Sequence, residues 1–413
     1  MFKNVLVWCS VCLSVLTMGW EECLPQQFRP PLSGREILLE ASGQTGKTLR
    51  EGIWAYNPET DKLRLLIEDA KTPLWNPQHT LFAFAQDRNF FISDRAGKRR
   101  PIEGIDFDEG ELLGWSPDGT TLFLSVAYSN SLYAFPPTLQ VMGLRPGFSR
   151  GIWSVRVNDK RLVARPFITT EEHFRGHHIG ALSFSPDGKR VAFEVYRAVP
   201  EVGRLESRIA VAEVLPDGEL RHVRLLTRLP SHFLELNPHW SPDGEHIALD
   251  VVDTHQQVLV PCIVTRNGAL VGFLVKGHAE GKSALVVSAL PELRQEIWSV
   301  RGWISADRVA VLEKPLVLKQ ANPLMGDALW IIHIRGTDPP IIVSNAYTPK
   351  LFLLSPDKRQ VAEVYELGYT LIHWLQGAIW RSRIEKRALA IATKVRSEVA
   401  GMLPLTRIRW GSW

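Results

Sequence analysis

Short apolar runs alternate with polar positions along most of the chain, and one phrase recurs between them. Runs such as Arg190-Val191-Ala192-Phe193-Glu194-Val195 and His246-Ile247-Ala248-Leu249-Asp250-Val251 have the period of two expected of β-strands. Immediately upstream stands an aromatic residue followed by Ser-Pro-Asp-Gly, at Trp115 to Gly119, Phe184 to Gly188 and Trp240 to Gly244. A weaker copy is Leu354-Ser355-Pro356-Asp357-Lys358, and degenerate copies are Trp75-Asn76-Pro77 and Trp303-Ile304-Ser305-Ala306-Asp307. Proline presets φ, aspartate bonds nearby backbone, and glycine takes the positive φ that a side chain resists. The phrase therefore predicts a tight turn between the first and second strands of a repeated unit. Asp118, Asp187, Asp243 and Asp357 are expected to be structural turn residues rather than calcium ligands. The aromatic should end the first strand and pack between neighbouring sheets.

A second signature marks a third strand in each unit: Ile53-Trp54, Phe90-Phe91, Ile152-Trp153, Ile209-Ala210, Val260-Pro261, Leu329-Trp330 and Ile379-Trp380. First-strand anchors are Trp75, Trp115, Phe184, Trp240, Trp303 and Leu354, with Trp410 following at a similar spacing. Trp410 lacks partners downstream, but the N-terminus supplies them. Glu36 to Glu40 reads as a second strand, Gly52 to Tyr56 as a third and Lys62 to Ile67 as a fourth. The expected fold is an all-β, seven-bladed β-propeller over residues 36–413, its last blade closed by N- and C-terminal strands. Such closure leaves no open sheet edge. Six blades with a separate C-terminal helix is the alternative, because Trp380, Ile384, Ala388, Ile391, Val395 and Val399 fall at helical spacing. The likeness of Ile379–Leu389 to Ile152–Leu162 favours strand there.

The Ser-Pro-Asp-Gly repeats resemble those of TolB and related exported proteins, a family akin to WD-repeat propellers. The resemblance covers roughly residues 36–413. It implies a propeller, but no separate N-terminal α/β domain is expected and the blade count reads as seven rather than six, so no Tol-complex role is carried over. Similar repeats occur in the propellers of prolyl-type serine peptidases, where a hydrolase domain follows. Here the repeats run to the last residue, and no such domain is expected.

Composition refines the picture in two places. Of 413 residues, 45% are hydrophobic, 22% are charged and 14 are tryptophan, which argues against disorder. A formal charge of +4, from 48 basic and 44 acidic residues mixed along the chain, gives no nucleic-acid footprint. Lys3, the apolar stretch Val5 to Met18 and the small residues around Thr17-Met18-Gly19 read as a signal peptide over 1–19, cleaved after Gly19. The stretch is shorter than the roughly 20 residues of a membrane span. The mature chain is expected to be periplasmic or secreted, monomeric and without a membrane span, with a loose tail over 20–35; an uncleaved anchor is the alternative. Cys9 and Cys12 would leave with the signal, and Cys23 and Cys262 are expected to be unpaired rather than disulfide-bonded.

Candidate chemistry is sparse. Ala41-Ser42-Gly43-Gln44-Thr45-Gly46-Lys47-Thr48 has the wording of a phosphate-binding loop, but a strand rather than a helix follows, so a hairpin loop is expected. His173, His177, His178, His232, His239 and His255 cluster in sequence with Glu235 and Asp253. In the repeat register they fall in loops expected on one face near the channel mouth, where imidazoles and carboxylates could bind a partner, a ligand or a metal. The oligogalacturonate lyases, which this chain also resembles, use a histidine-held metal at that place. No Gly-x-Ser-x-Gly elbow, Cys-x-x-Cys pair or His-Glu-x-x-His helix occurs. The reading is a non-catalytic scaffold without a cofactor, binding an envelope or extracellular protein, or a small ligand or glycan. A metal-dependent carbohydrate lyase or hydrolase is the alternative.

Overall fold

The computed structural model describes Phe28, 30–45, 48–60, 62–104, 110–127, 149–169, 174–175, 177–199, 204–216, 218–227, 229–255, 258–275, 284–286, 297–314, 328–334, 341–344, 351–355, 360–364, 370–374 and 405–412. Every regular element among these residues is a β-strand. The chain opens with a meander of β1 (Ile37–Thr45), β2 (Thr48–Asn57) and β3 (Lys62–Glu68). A second meander holds β4 (Ala70–Trp75), β5 (Leu81–Gln86), β6 (Asn89–Asp94) and β7 (Arg99–Glu103). The third has β8 (Gly110–Trp115), β9 (Thr121–Ala127), β10 (Ser149–Arg156) and, beyond the two-residue β11 (Leu162–Val163), β12 (Arg165–Thr169). The fourth is β13 (His178–Phe184), β14 (Arg190–Val199), β15 (Arg204–Val214) and β16 (Leu220–Leu225).

Next come β17 (Phe233–Trp240), β18 (His246–Asp253), β19 (Val258–Thr265), β20 (Leu270–Val275) and the short β21 (Ala284–Val286). A single parallel pairing, Leu259 with Ile297, links this group to β22 (Ile297–Ser305), β23 (Arg308–Lys314), β24 (Ala328–His333) and β25 (Ile341–Ser344). The last meander is β26 (Leu351–Leu354), β27 (Gln360–Val364) and β28 (Thr370–Trp374). β29 (Leu405–Ser412) then returns to the start of the chain.

β29 lies antiparallel to β1, pairing Leu38 with Ser412, Glu40 with Trp410 and Gly43 with Leu405. The resulting sheet, in the order β29-β1-β2-β3, takes one strand from the C-terminus and three from the N-terminus, as the spacing of Trp410 predicts. Ser412 also reaches the next sheet, where its hydroxyl accepts the backbone N–H of buried Trp75 at 3.0 Å. The same contact recurs where Trp240 N–H donates to the Ser183 hydroxyl at 3.1 Å.

The repeated turns form as their residues dictate. In the Phe184 copy, the Ser185 hydroxyl donates to Asp187 at 2.6 Å and accepts from Arg190 N–H at 2.9 Å. Asp187 accepts Lys189 N–H at 3.1 Å, and Gly188 sits at φ 70°. The Trp115 and Trp240 copies repeat this pattern. The Ser185 hydroxyl and the other donors hold Asp187 below the usual carboxylate range. Where the phrase degenerates, a substitute serves: Asn76 accepts Thr80 and Leu81 N–H groups at 2.9 and 3.1 Å. Of Asp357 only the preceding Ser355 is described, so that turn aspartate lies outside the described residues.

The aromatic anchors tie sheet to sheet. The indole of Trp115 donates to the Leu74 carbonyl at 3.2 Å, and that of Trp303 to the His239 carbonyl at 2.9 Å. Apolar residues fill the interfaces between the sheets. Phe123, Ile152 and Ile168 of the third sheet pack with Ile179, Val191 and Phe193 of the fourth. Ile209 and Val211 of the fourth pack with Ile247, Leu249 and Val260 of the fifth. A Gly-Ile-Trp triplet lies inside two third strands, and a Cβ on Gly52 or Gly151 would stand 2.1 or 2.2 Å from the carbonyl oxygen of Ile67 or Ile168. The bulge where the third and fourth strands meet leaves no room for it.

Several expectations need correcting or placing. The third strand of the last meander is Thr370–Trp374, not Ile379-Trp380; the short link after β27 brings the nearer apolar run into register first. Residues 379–399 lie outside the described residues, as do the signal peptide and Cys23. The described part of the tail, Phe28 and 30–35, is anchored rather than loose. Phe28 and Leu32 are buried, their N–H groups donate to Ala96 and Arg95 carbonyls at 2.8 and 2.9 Å, and Phe28 stacks on Phe82. Cys262 is a free thiol inside β19, with burial pushing its pKa up. The phosphate-loop wording spans the β1–β2 hairpin, where Thr45 pairs with Thr48. No helix among the described residues is long and apolar enough to cross a membrane.

Candidate functional site

Because β8, β13 and β17 each end at their aromatic anchor, the Ser-Pro-Asp-Gly turns that follow collect at one end of the sheets. Loops leading into first strands, and those joining second to third strands, emerge at the other end. His232 immediately precedes β17, Asp253 ends β18 and His255 follows two residues later. Strand pairing brings them together, since Phe233 faces Asp253 across the β17–β18 ladder. Thr254 secures the junction: its N–H and its hydroxyl both donate to the His232 carbonyl, at 3.2 and 2.9 Å. His255 N–H donates to Asp253 Oδ1 at 2.8 Å, turning the chain so that the two imidazoles stack at 4.7 Å and 9°. Among the described residues, His232, Asp253 and His255 form a set whose ligand atoms all lie within 4.8 Å of one another. Asp253 is buried, His232 half-buried and His255 exposed.

The other histidines singled out by sequence lie elsewhere. His239 is seven residues along β17 from His232, roughly 20 Å at strand rise, and its carbonyl serves Trp303 at the opposite end. His177 and His178 open the fourth sheet, at the same end as His232 but one sheet earlier. The His177 ring meets Phe174 edge-on at 6.1 Å, and the His178 ring lies 5.7 Å from that of Tyr196. His173 lies outside the described residues. Glu235 is close in sequence to the set but committed to another task. Fully buried, it accepts from Arg208 Nη1 at 2.9 Å, from Ile209 N–H at 3.1 Å and from the Thr227 hydroxyl. That carboxylate clasps the fourth sheet to the fifth.

Two further carboxylates escaped the sequence reading. Glu194 on β14 is buried and accepts Ala181 N–H at 3.2 Å and, from the next sheet, Asn237 N–H at 2.5 Å. Asp250, at the matching position of β18, accepts Val300 N–H at 2.7 Å, the Ser299 hydroxyl at 2.8 Å and Asn237 Nδ2 at 3.2 Å. Asn237 takes φ 53° in a bulge of β17. Glu40 on β1 does the same for Thr72, which has φ 48°. Burial pushes Glu194 up to about 7, and the nearby Asp250 charge adds to the shift. Burial likewise raises Asp250 to about 6. The signal was present in the sequence: an acid at the fifth position of the second-strand run, in Arg190–Glu194 and in His246–Asp250.

At the turn end lies a broad depression of about 1360 Å³ spanning the third, fourth and fifth sheets. Its floor includes Phe123, Phe167 and Phe184, whose rings touch at 4.7 to 6.2 Å. Its rim mixes Asp118, Asp187 and Glu245 with Arg156, Lys189 and Arg266.

No family model matches the chain, and a comparison with curated proteins finds no match. Solved structures do match. Oligogalacturonate lyase from Vibrio parahaemolyticus is 12% identical, with 83% of this chain and 91% of that one covered at a TM-score of 0.50. Puromycin hydrolase is 12% identical at the same TM-score, covering 82% of this chain but 51% of the hydrolase. The putative TolB from Agrobacterium tumefaciens, also 12% identical, covers 83% of this chain and 98% of its own at a TM-score of 0.41. At such identities the likeness concerns the fold alone. Together with the succession of small antiparallel meanders, it makes this chain an all-β protein of the β-propeller kind.

Proposed function

We propose that the chain is an exported, seven-bladed, TolB-like β-propeller that acts as a non-catalytic scaffold for an envelope or extracellular protein. Seven blades follow if the nine-stranded sheet is divided at its single parallel pairing and the β29-β1-β2-β3 sheet is counted as the closing blade. Export rests on the Lys3 and Val5–Met18 pattern. The observation that carries the binding role is the open depression of about 1360 Å³. It is larger than sites that enclose small ligands, commonly about 300–1,000 Å³. An aromatic floor inside a rim of both charge signs suits a protein surface better than a uniformly charged glycan or nucleic acid.

In-cell photocrosslinking tests the assignment. A crosslinker at Lys189, on the rim, should capture one dominant envelope or extracellular protein, and the adduct should fade with Arg156→Glu. A crosslinker at exposed Glu59 serves as the control. Equal capture from both positions, or none from Lys189, would overturn the reading. A metal-dependent carbohydrate lyase or hydrolase is the second reading, favoured by the His232, Asp253 and His255 set. It predicts polysaccharide cleavage by the wild type and none by His232→Ala.

A further inference from the structure

We propose that His232, Asp253 and His255 form a binding site for a divalent transition-metal ion of the zinc class, on the face opposite the depression. The assignment is independent of the partner reading and does not require the protein to be an enzyme.

The donor set decides the class of ion. Two imidazoles with one carboxylate suit zinc and its first-row neighbours, whereas calcium and magnesium ask for oxygen ligands throughout. Ligand atoms around a tetrahedral zinc ion lie about 2.1 Å from it and so about 3.4 Å apart. The three groups here lie within 4.8 Å of one another, so closing on an ion needs a contraction of little more than 1 Å. Exposed His255 can supply that movement by side-chain rotation, which must also swing its ring out of the 9° stack on His232 so that both lone pairs converge on the ion.

The backbone around the set is fixed. His232 and Asp253 flank a strand pair, and Thr254 holds the His232 carbonyl with two donors. Arg208 ties down the approach to β17 by donating to the Pro230 carbonyl at 3.3 Å. The peptide N–H of His255 donates to Asp253 Oδ1, which fixes the carboxylate beside the two imidazoles. The graded burial, with Asp253 inside and His255 at the surface, gives the ion an entry from solvent. Three protein ligands leave at least one coordination position for water or for an anionic group of a partner.

Titration calorimetry of the mature chain, purified without a histidine tag, tests the site. Zinc should bind at one equivalent per chain, and excess zinc should raise the melting temperature. His255→Ala, at an exposed position, should leave the fold intact and weaken zinc at least 100-fold; Asp253→Asn should also weaken it. His222→Ala, which removes an exposed histidine on β16, paired with Glu213 and outside the set, should bind as the wild type does. Absence of stoichiometric zinc in the folded wild type would overturn the proposal. So would affinity unchanged in His255→Ala, or lost equally in His222→Ala.

Discussion

Replacing Glu194 with glutamine should change how stability depends on pH rather than lower it uniformly. The Glu194 carboxyl is buried between the fourth and fifth sheets and titrates near 7 in the fold, against 4.5 for an ordinary glutamate. Between those values the folded protein keeps a proton that the unfolded chain releases. Stability therefore falls as pH rises through this window, and the loss is complete above about pH 7. At about 1.4 kcal/mol per tenfold change, the gap amounts to roughly 3 kcal/mol. Glutamine escapes that loss but turns its amide group toward either Ala181 or Asn237 N–H, a mismatch worth about 1–3 kcal/mol at every pH. The variant should thus be the less stable protein near pH 5 and draw level with, or pass, the wild type near pH 8. Urea melts of both proteins at several pH values measure the difference directly. Parallel profiles would refute the argument, because they would mean that Glu194 is solvated and titrates normally.

Smaller changes test the junctions between sheets. Ser412→Ala and Ser183→Ala each remove the acceptor of a first-strand Trp N–H, so each should cost about 1–2 kcal/mol in urea melts. A neutral Ser412→Ala beside a costly Ser183→Ala would mean that β29 is not docked. Gly151→Ala forces a methyl against the Ile168 carbonyl at 2.2 Å and should cost at least about 2 kcal/mol, lowering the melting temperature; a neutral result would contradict the bulge.

What could be read in advance follows the range of the forces involved. The Ser-Pro-Asp-Gly turns were legible because proline, aspartate and glycine settle a turn within five residues, whatever surrounds it. Trp410 was legible as a first strand because a repeat supplies its own register. The last third strand was not, since Thr370–Trp374 and Ile379-Trp380 are similar apolar runs and only the link length separates them. Histidines posed the same difficulty over longer range. His239 looked equivalent to His232 until the direction of β17 carried it to the other end of the sheet. His255 joined His232 through the pairing of Phe233 with Asp253, a register that no local pattern states. Glu194 and Asp250 stood in the sequence only as members of alternating runs, because the backbone they hold belongs to a neighbouring sheet.

The account depends most on the meeting of the two chain ends in one sheet. Removing residues 405–413 tests this directly, with thermal unfolding as the readout. Five paired positions and the Ser412 contact would be lost, about 6 kcal/mol at about 1 kcal/mol each. That is a large share of the 5–15 kcal/mol that holds a typical domain folded. The truncated chain should melt roughly 10 °C or more below the full one and over a broader range. An unchanged midpoint with unchanged cooperativity would contradict the closure.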